Sequence, residues 1–314
     1  MEAVVDVVLH AGRSAVDVSL YTLLPIMVVL MILMRVLEAK GVLDQIVAWL
    51  TPLTRPFGLP GMGVLAMIQI SFISFVAPLP TMALMEDRGT SNRHLAATLA
   101  AVLAMAPANA TFPLIRMGVN PGVVLTLSAV GGVAAAASTY WALGRRLSAA
   151  PHPPSSFEKE AEKAATQPPS LLKIINIGGA EAIQIVIGII PMLLLSLVVV
   201  TGLENVGAVD ALARLLAPVL GHLGINQALI LPTITKYLAG STALVGVVEE
   251  MAKQGHIGPS VMGRGAGFLL HPLDVPGVAI LISAGPRLSR TWRPAVGGAC
   301  IGIALRVAGT ALLT

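Results

Sequence analysis

The chain has 314 residues, of which 55% are hydrophobic and 11% charged, with a mean hydropathy of +0.84 and a formal net charge of +4. Soluble globular domains carry roughly 25% charged and 45–50% apolar residues, so this composition excludes an ordinary soluble domain. The positive charge does not indicate nucleic-acid binding, because the basic residues form no cluster with interleaved aromatic side chains.

Long apolar segments indicate a membrane protein. Four of them reach, or nearly reach, the roughly 20 residues that a helix needs to cross the hydrocarbon core. They are residues 18–34, 122–143, 182–200 and 295–313. The first residues lack the basic region and cleavage site of a signal peptide, so we expect the first true span to direct insertion. The composition predicts an all-α polytopic membrane protein.

The second half of the chain repeats the first at an offset of 166 residues, the separation of Pro25 and Pro191. Other Pro, Gly and Asp residues keep this register: Gly41 with Gly207, Asp44 with Asp210, Pro52 with Pro218, and Gly58 with Gly224. Residues 148–170 are rich in Pro, Ser, Ala, Glu and Lys, which is typical of a solvated, disordered linker. We therefore predict repeat A over 1–147, a linker over 148–170 and repeat B over 171–314.

Each half has the same series of segments. A span (16–36 and 180–200) precedes an amphipathic segment (42–54 and 208–219), an apolar stretch broken in its middle (62–85 and 228–250), a span broken near its centre (94–115 and 259–282) and an unbroken final span. Pro78 and Pro80 in the first half, and Gly240 in the second, divide the apolar stretches into half-length helices. The amphipathic segments are expected at the membrane surface, which suits Trp49.

Each divided stretch either crosses the membrane as a kinked span or turns back as a re-entrant hairpin. The re-entrant arrangement collects most Lys and Arg residues on one face, as the positive-inside rule expects, whereas the crossing arrangement leaves no bias. It gives each half about three spans, a re-entrant helical hairpin, a broken helix and an interfacial amphipathic helix. An odd number of spans makes the two repeats inverted. The linker is then cytoplasmic, and both termini lie on the opposite face of a bacterial-type inner (plasma) membrane.

The interruptions are where we expect the chemistry, because a broken helix exposes unpaired backbone groups near the membrane midplane. The candidate substrate-binding residues are polar side chains at the two hairpin tips and at the two breaks. They are Ser74 and Thr81 at tip A, Thr235, Lys236, Ser241 and Thr242 at tip B, Asn109 at break A, and His271 and Asp274 at break B.

Lys236 and Asp274 are ionisable residues in apolar surroundings, where a charge usually has a partner or a function. They form either a structural ion pair or a direct part of solute binding or proton coupling. Half A has no matching charges, which favours the second interpretation. His271 is either a pH-sensitive switch or a hydrogen-bonded structural residue. Glu86 with Asp87, and Glu249 with Glu250, fall at the ends of the hairpins and are interpreted as solvated helix ends.

Sequence signatures of enzymes are missing. There is no His-Glu-x-x-His motif, no phosphate-binding Gly-rich loop ending in Lys-Ser/Thr, and no Gly-x-Ser-x-Gly elbow. No cluster of Cys and His suggests a metal. We therefore expect neither an enzyme nor a cofactor, and leave H+ and Na+ open as coupling ions.

The chain combines Pro in the first span, Gly-x-x-Asp before an amphipathic segment, a broken Ala-Gly-Ser-Thr hairpin and a Pro-centred break. This pattern resembles the nucleoside recognition (Gate) domain membrane proteins. The residues that carry the resemblance are 207–210, 236–242 and 271–276, with weaker counterparts in the first half. Such proteins include spore maturation proteins and the Gate segments of concentrative nucleoside and ferrous iron transporters. The resemblance implies an inner-membrane carrier with hairpin tips and broken helices around a midplane site.

These features favour two functions over a third, a membrane-embedded enzyme, which would rest on Asp274 and His271 alone. One is a secondary transporter that moves a small polar or anionic solute, a nucleoside-like one among them, through a midplane site between hairpin tips and broken helices. The other is a non-transporting membrane component of a larger envelope assembly, as in spore maturation proteins. The expected partners are the lipid bilayer and a small solute, without nucleic acid. Interfacial helices and small-residue runs such as 131–138 also offer surfaces for a homodimer.

Overall fold

A computed structural model describes residues 2–151, 170–207 and 226–313, together with Ala211 and Arg214. Within these ranges the regular structure is entirely helical. The α-helices, in chain order, are α1 (Glu2–Val16), α2 (Leu24–Ala39), α3 (Val42–Thr54), α4 (Gly61–Phe72), α5 (Pro78–Asp87), α6 (Asn92–Ala104), α7 (Ala108–Thr111), α8 (Pro121–Ser138), α9 (Leu171–Asn205), α10 (Ile230–Ala239), α11 (Ser241–Lys253), α12 (Pro259–Leu269), α13 (Val275–Ile282), α14 (Pro286–Arg290) and α15 (Trp292–Leu313).

The first long helices of the two halves pack against each other. A π-helical segment (Asp17–Leu23) joins α1 to α2 and ends just before Pro25, which has no N–H to continue a regular ladder. α9 packs along both α1 and α2. Arg35 of α2 forms a bidentate ion pair with Glu181 of α9, with Nη2 2.6 Å from Oε1 and Nε 3.1 Å from Oε2. The two halves are thus joined along their first helices.

Two pairs of consecutive helices form hairpins at the predicted interruptions. In hairpin A, α4 and α5 pack together around tip A (residues 73–77), and α5 begins at Pro78. In hairpin B, α10 and α11 meet at tip B, which is Gly240 with φ +91°. Proline suits the first turn of a helix, and glycine adopts a positive φ without the strain of a Cβ. The breaks predicted within 62–85 and 228–250 are confirmed, and their re-entrant course stays a prediction.

Two further helices are interrupted where the sequence predicts. In broken helix A, α6 ends at Ala104 and α7 begins at Ala108, so residues 105–107 form break A. In broken helix B, α12 ends at Leu269 and α13 begins at Val275, so residues 270–274 form break B. Each break contains a proline, Pro107 or Pro272, which cannot donate the next helical hydrogen bond. The breaks within 94–115 and 259–282 are therefore confirmed.

Helices α6, α8 and α15 pack into a bundle around the end of α6. Gly302 of α15 lies against the main chain of α8, because a Cβ built on Gly302 would stand 2.3 Å from Gly131 O. Small residues allow membrane helices to approach this closely, as the run 131–138 suggested. This bundle holds α6 in place up to break A.

Five helical segments in the described ranges are long and apolar enough to cross a membrane. They are Ser19–Ala39, Asn92–Thr111, Pro121–Leu143, Leu171–Gly188 and Trp292–Leu313. They correspond to five of the six predicted spans. Broken helix B is not among them; its two parts, of 11 and 8 residues, are separated by break B. The chain is a multi-pass membrane protein by length and composition of its helices.

Matched glycine turns agree with the predicted duplication. Gly41 (φ 69°) and Gly207 (φ 68°) are 166 residues apart, and so are Gly89 and Gly255, each with φ 74°. The opposite orientation of the two repeats stays a prediction.

The interfacial segment of the first half forms α3, with the predicted bounds, and its Trp49 is 78% exposed. Its counterpart at 208–219 lies outside the described residues, apart from Ala211 and Arg214, and so does most of the predicted linker.

Candidate solute-binding site

Lys236 and Asp274 form a buried ion pair between hairpin B and broken helix B. The Lys236 ammonium lies 3.1 Å from Asp274 Oδ2 and donates a second hydrogen bond to Leu273 O at 3.2 Å. The two side chains are 0% and 2% exposed. The ammonium also lies 4.5 Å from the centre of the Tyr237 ring. In such a buried pair, each charge depends on the other for compensation.

Asp274 has a second role as the N-cap of α13. Its Oδ1 accepts a hydrogen bond from Gly277 N at 2.7 Å, which satisfies a backbone donor in the first turn. Its negative charge is also favourable at the positive end of the helix dipole. The carboxylate is thus held from both sides, by Lys236 and by the start of α13.

His271 and Ser241 connect break B to the start of α11. Ser241 Oγ donates to His271 O at 3.0 Å, and Leu273 N donates to His271 Nδ1 at 3.1 Å. The imidazole is 0% exposed. Because Nδ1 accepts a hydrogen bond, a neutral ring carries its proton on Nε2. These contacts support the structural interpretation of His271.

Asn109 joins three of the four interruptions. It lies in the short helix α7, directly after break A, and its side chain is buried. Its Nδ2 donates to Thr242 Oγ1 at 3.2 Å, and its Oδ1 accepts from Phe75 N at 3.4 Å. Tip A, break A and the start of α11 therefore meet at one amide side chain.

A central cavity of about 260 Å³ lies where these elements meet. Its walls come from tip A, tip B, the first turn of α11, break B, the start of α13 and α9, and its polar lining residues are Ser241, Thr242 and Asp274. The remaining lining residues include Phe75, Gly188, Ala239, Gly240, Pro272 and Pro276. Ligand pockets usually measure about 300–1,000 Å³, so this cavity suits a small solute.

The Gate family model, described as nucleoside recognition, covers part of this architecture. Residues 20–121 match the Gate family. The resemblance stated from the sequence is thereby confirmed over this range, which contains hairpin A and Asn109. The match lies in the first half, whereas the motifs that suggested it are clearer in the second.

Solved structures of the concentrative nucleoside transporter CNTnw share the fold. An inward-facing substrate-bound structure has a TM-score of 0.66 and 15% sequence identity, covering 98% of this chain and 82% of the transporter. An outward-facing variant has a TM-score of 0.66 and 15% identity, covering 98% of this chain and 83% of the transporter. An intermediate-state variant has a TM-score of 0.61 and 15% identity, covering 100% of this chain and 86% of the transporter. No curated protein sequence matches the chain. The Gate match and these structures together show a transporter-like membrane fold.

Of the nine predicted site residues, Ser241, Thr242 and Asp274 line the central cavity, and Asn109, Lys236 and His271 are hydrogen-bonded to one of these three. The other three do neither. Thr81 donates a hydrogen bond to Gln69 Oε1 at 2.8 Å and lines a second cavity of about 470 Å³, which the Arg35–Glu181 pair also lines. Ser74 and Thr235 are buried, and their hydroxyls have no hydrogen-bond partner among the described residues. The structure thus brings together Lys236, Ser241, Thr242, His271, Asp274 and Asn109, and separates Thr81 from them.

Glu86 and Glu249 are buried, so their interpretation as solvated helix ends is wrong. Glu86 is 9% exposed and accepts hydrogen bonds from Arg287 N and Leu288 N, both at 2.9 Å. Glu249 is 5% exposed and forms an ion pair with Arg116 at 3.1 Å. Each glutamate is buried because its hairpin packs against another part of the chain, which the local pattern did not reveal.

Arg306 is a functional candidate that the sequence analysis missed. It lies in the second half of α15 and is 1% exposed. Its Nη1 donates a hydrogen bond at 2.5 Å to the carbonyl oxygen of Ala104, the last residue of α6. The available signal was a single arginine within the apolar segment 295–313, since a charge at membrane depth is costly. Phe75, whose backbone N–H contacts Asn109, carried no signal in the sequence.

Proposed function

We propose that this protein is a secondary transporter that binds a small polar or anionic solute in the central cavity. In this proposal Lys236, Asp274, Asn109, Ser241 and Thr242 bind or position the solute. The Gate match, described as nucleoside recognition, supports a nucleoside-like molecule as one class of solute. The fold shared with CNTnw supports transport as the activity.

The observation that carries the proposal is the convergence at Asn109. Its side chain bonds to Phe75 N at tip A and to Thr242 at the start of α11, beside a cavity that break B also lines. Irregular backbone at membrane depth is tolerated where it is buried in protein or lines a cavity. Broken helices placed around a shared midplane site are a recurring design of secondary transporters.

The arrangement in the membrane belongs to the same proposal. Repeat A (1–147) and repeat B (171–314) have opposite orientations, with hairpins A and B re-entrant. The linker (148–170) lies in the cytoplasm, and both termini lie on the other face of an inner (plasma) membrane. H+ or Na+ is the coupling ion, and a homodimer is the proposed assembly. The positive-inside rule and the inverted-repeat design of transporters support this arrangement.

Thermal unfolding of the purified protein with a panel of nucleosides, nucleobases, amino acids, organic acids and metal ions tests the proposal. A ligand that binds only the native state raises the unfolding midpoint by mass action. The strongest stabilising compound is then supplied, radiolabelled, to proteoliposomes. We expect uptake by the wild type, loss of uptake with Lys236→Ala, and unchanged uptake with Lys40→Ala, since Lys40 is exposed at the end of α2.

Retained uptake in the Lys236→Ala variant would refute the assigned role of Lys236. Cooperative unfolding without a shift from any compound, together with a co-purifying membrane partner, would favour the non-transporting envelope component instead.

A further inference from the structure

Each helix break holds a buried cation on a main-chain carbonyl. At break B the ammonium of Lys236 donates to Leu273 O, and at the end of α6 the guanidinium of Arg306 donates to Ala104 O. A carbonyl at a helix end has no intrahelical donor, so a cation there satisfies an otherwise unpaired group. Ala104 O is such a carbonyl, whereas Leu273 O lies inside break B, just before the N-cap of α13. In both places the cation satisfies a main-chain oxygen outside a regular helical ladder.

The two cations differ in charge compensation. Lys236 has Asp274 as its counter-ion at 3.1 Å, whereas no carboxylate among the described residues forms an ion pair with Arg306. Arg306 Nε and Nη2 have no hydrogen-bond partner within the same residues. The negative end of the α6 dipole, equivalent to about half an elementary charge, offsets only part of the arginine charge.

The other buried carboxylates are engaged elsewhere. Glu86 lies eight residues after Pro78, where α5 begins, and Glu249 lies eight residues after Ser241, where α11 begins, so each is about 12 Å along its helix from the tip. Glu86 accepts from backbone N–H groups of α14, and Glu249 pairs with Arg116. Near the breaks, the described interior therefore contains two cations, Lys236 and Arg306, and one carboxylate, Asp274. The sum is one surplus positive charge.

A helix start without a side-chain cap lies in the wall of the central cavity. α11 starts after Gly240 with no side-chain cap, and its first residues, Ser241 and Thr242, line the cavity. The first N–H groups of a helix have no intrahelical acceptor, and they favour negative charge. At α13, the other helix that starts in the cavity wall, Asp274 already occupies this position.

We propose that the solute of the central cavity is a small carboxylate-bearing monoanion, whose charge balances the surplus buried cation at the helix breaks. The inference rests on the proposed transport function and names its substrate class. Among the described residues the charge of Arg306 is only partly compensated. Binding at the uncapped start of α11 brings the missing negative charge into the same low-dielectric interior, where charges interact strongly over several ångströms.

The solute-free protein gives the first test, through the unfolding midpoints of Arg306→Gln and Lys236→Met. Gln keeps an amide donor for Ala104 O and removes the surplus charge, so we expect a midpoint equal to or above that of the wild type. Lys236→Met is the matched control and should lower the midpoint, because it leaves Asp274 without its direct counter-ion. An Arg306→Gln midpoint that falls as far as that of Lys236→Met would show that the arginine is compensated within the protein, and would overturn the inference.

Matched probes give the second test: orotate against uracil, and nicotinate against nicotinamide. We expect a carboxylate probe to raise the wild-type midpoint more than its neutral counterpart. Asp274→Asn keeps an oxygen to cap α13 but increases the surplus positive charge, so it should bind the carboxylate probe about tenfold more tightly than the wild type. Arg306→Gln removes the surplus charge and should bind the same probe about tenfold more weakly. A purely structural role of these residues would weaken binding in both variants.

The outcomes separate the two proposals. The neutral probes could stabilise the wild type as much as the carboxylate probes or more, and do so equally in Arg306→Gln. That result would overturn the proposal that the solute is a monoanion and would leave the proposed transport function unaffected. No stabilisation by any compound of either panel, with no uptake in proteoliposomes, would overturn the transport function and the monoanion with it.

Discussion

Removing Lys236 alone should destabilise the protein more than removing the whole Lys236–Asp274 pair. Lys236→Met keeps most of the buried volume but leaves the Asp274 carboxylate, whose side chain is 2% exposed, without its counter-ion. Breaking a buried pair in this way costs about 3–5 kcal/mol. The double variant Lys236→Met/Asp274→Asn contains neither charge, and an Asn oxygen can still accept from Gly277 N. We expect it to recover to within about 1–2 kcal/mol of the wild type, because neutral replacements of buried pairs are often tolerated.

The assay is the unfolding midpoint of the wild type, the two single variants and the double variant in one detergent, with Lys40→Met as the exposed control. Residues in direct contact show coupling energies of about 0.5–3 kcal/mol in a double-mutant cycle. If the two single substitutions changed the stability additively, or if Lys236→Met were as stable as the wild type, the conclusion that Lys236 and Asp274 compensate each other's charge would be refuted. The double variant also separates stability from function: it should fold and still fail to transport, because it lacks the Lys236 ammonium that the proposed function requires.

Three other variants test local features of the fold. Gly302→Ala should cost about 1–3 kcal/mol of stability and lower the unfolding midpoint, because the added Cβ meets the main chain of α8. Gly179→Ala, whose added Cβ would have no atom within 4 Å, should not lower the midpoint. Asn109→Ala and Thr242→Ala should be non-additive in stability, by about 0.5 kcal/mol or more, because their side chains share one hydrogen bond; additivity would argue against the contact between the two halves. Gly240→Ala should cost about 1–3 kcal/mol, because φ +91° with ψ 172° is a conformation almost restricted to glycine. A midpoint at or above that of the wild type would show that tip B adopts another backbone conformation.

Local chemistry determined much of the fold in advance. Pro78 and Gly240 interrupt helices for reasons contained in a few residues, since proline lacks a backbone donor and glycine adopts positive φ freely. The bounds of α3 and the positions of both hairpin tips followed from such signals. The predicted spans also overlap all five helical segments of the described residues that are long and apolar enough to cross a membrane. The sequence by itself therefore determined the order of helices, breaks and hairpins.

The tertiary structure decided which of those elements meet. Asn109 and Thr242 are 133 residues apart, and Lys236 and Asp274 are 38 apart, so no local pattern determines either contact. The Lys–Asp partnership was foreseeable because few charges lie at membrane depth and each tends to have a partner. The contact of Asn109 with Thr242 was not foreseeable, because uncharged polar residues are common in membrane helices and do not each require a charged partner.

The same distinction explains the errors. Glu86 and Glu249 look like solvated helix ends in sequence, yet packing against distant segments buries them. Thr81, placed with tip A by its position in the chain, faces a different cavity because α5 turns it toward Gln69. Burial and orientation depend on neighbours that the chain brings together only when it folds. For that reason the sequence determined the kinds of residue available for a site, and the packing of the two halves decided which of them form one.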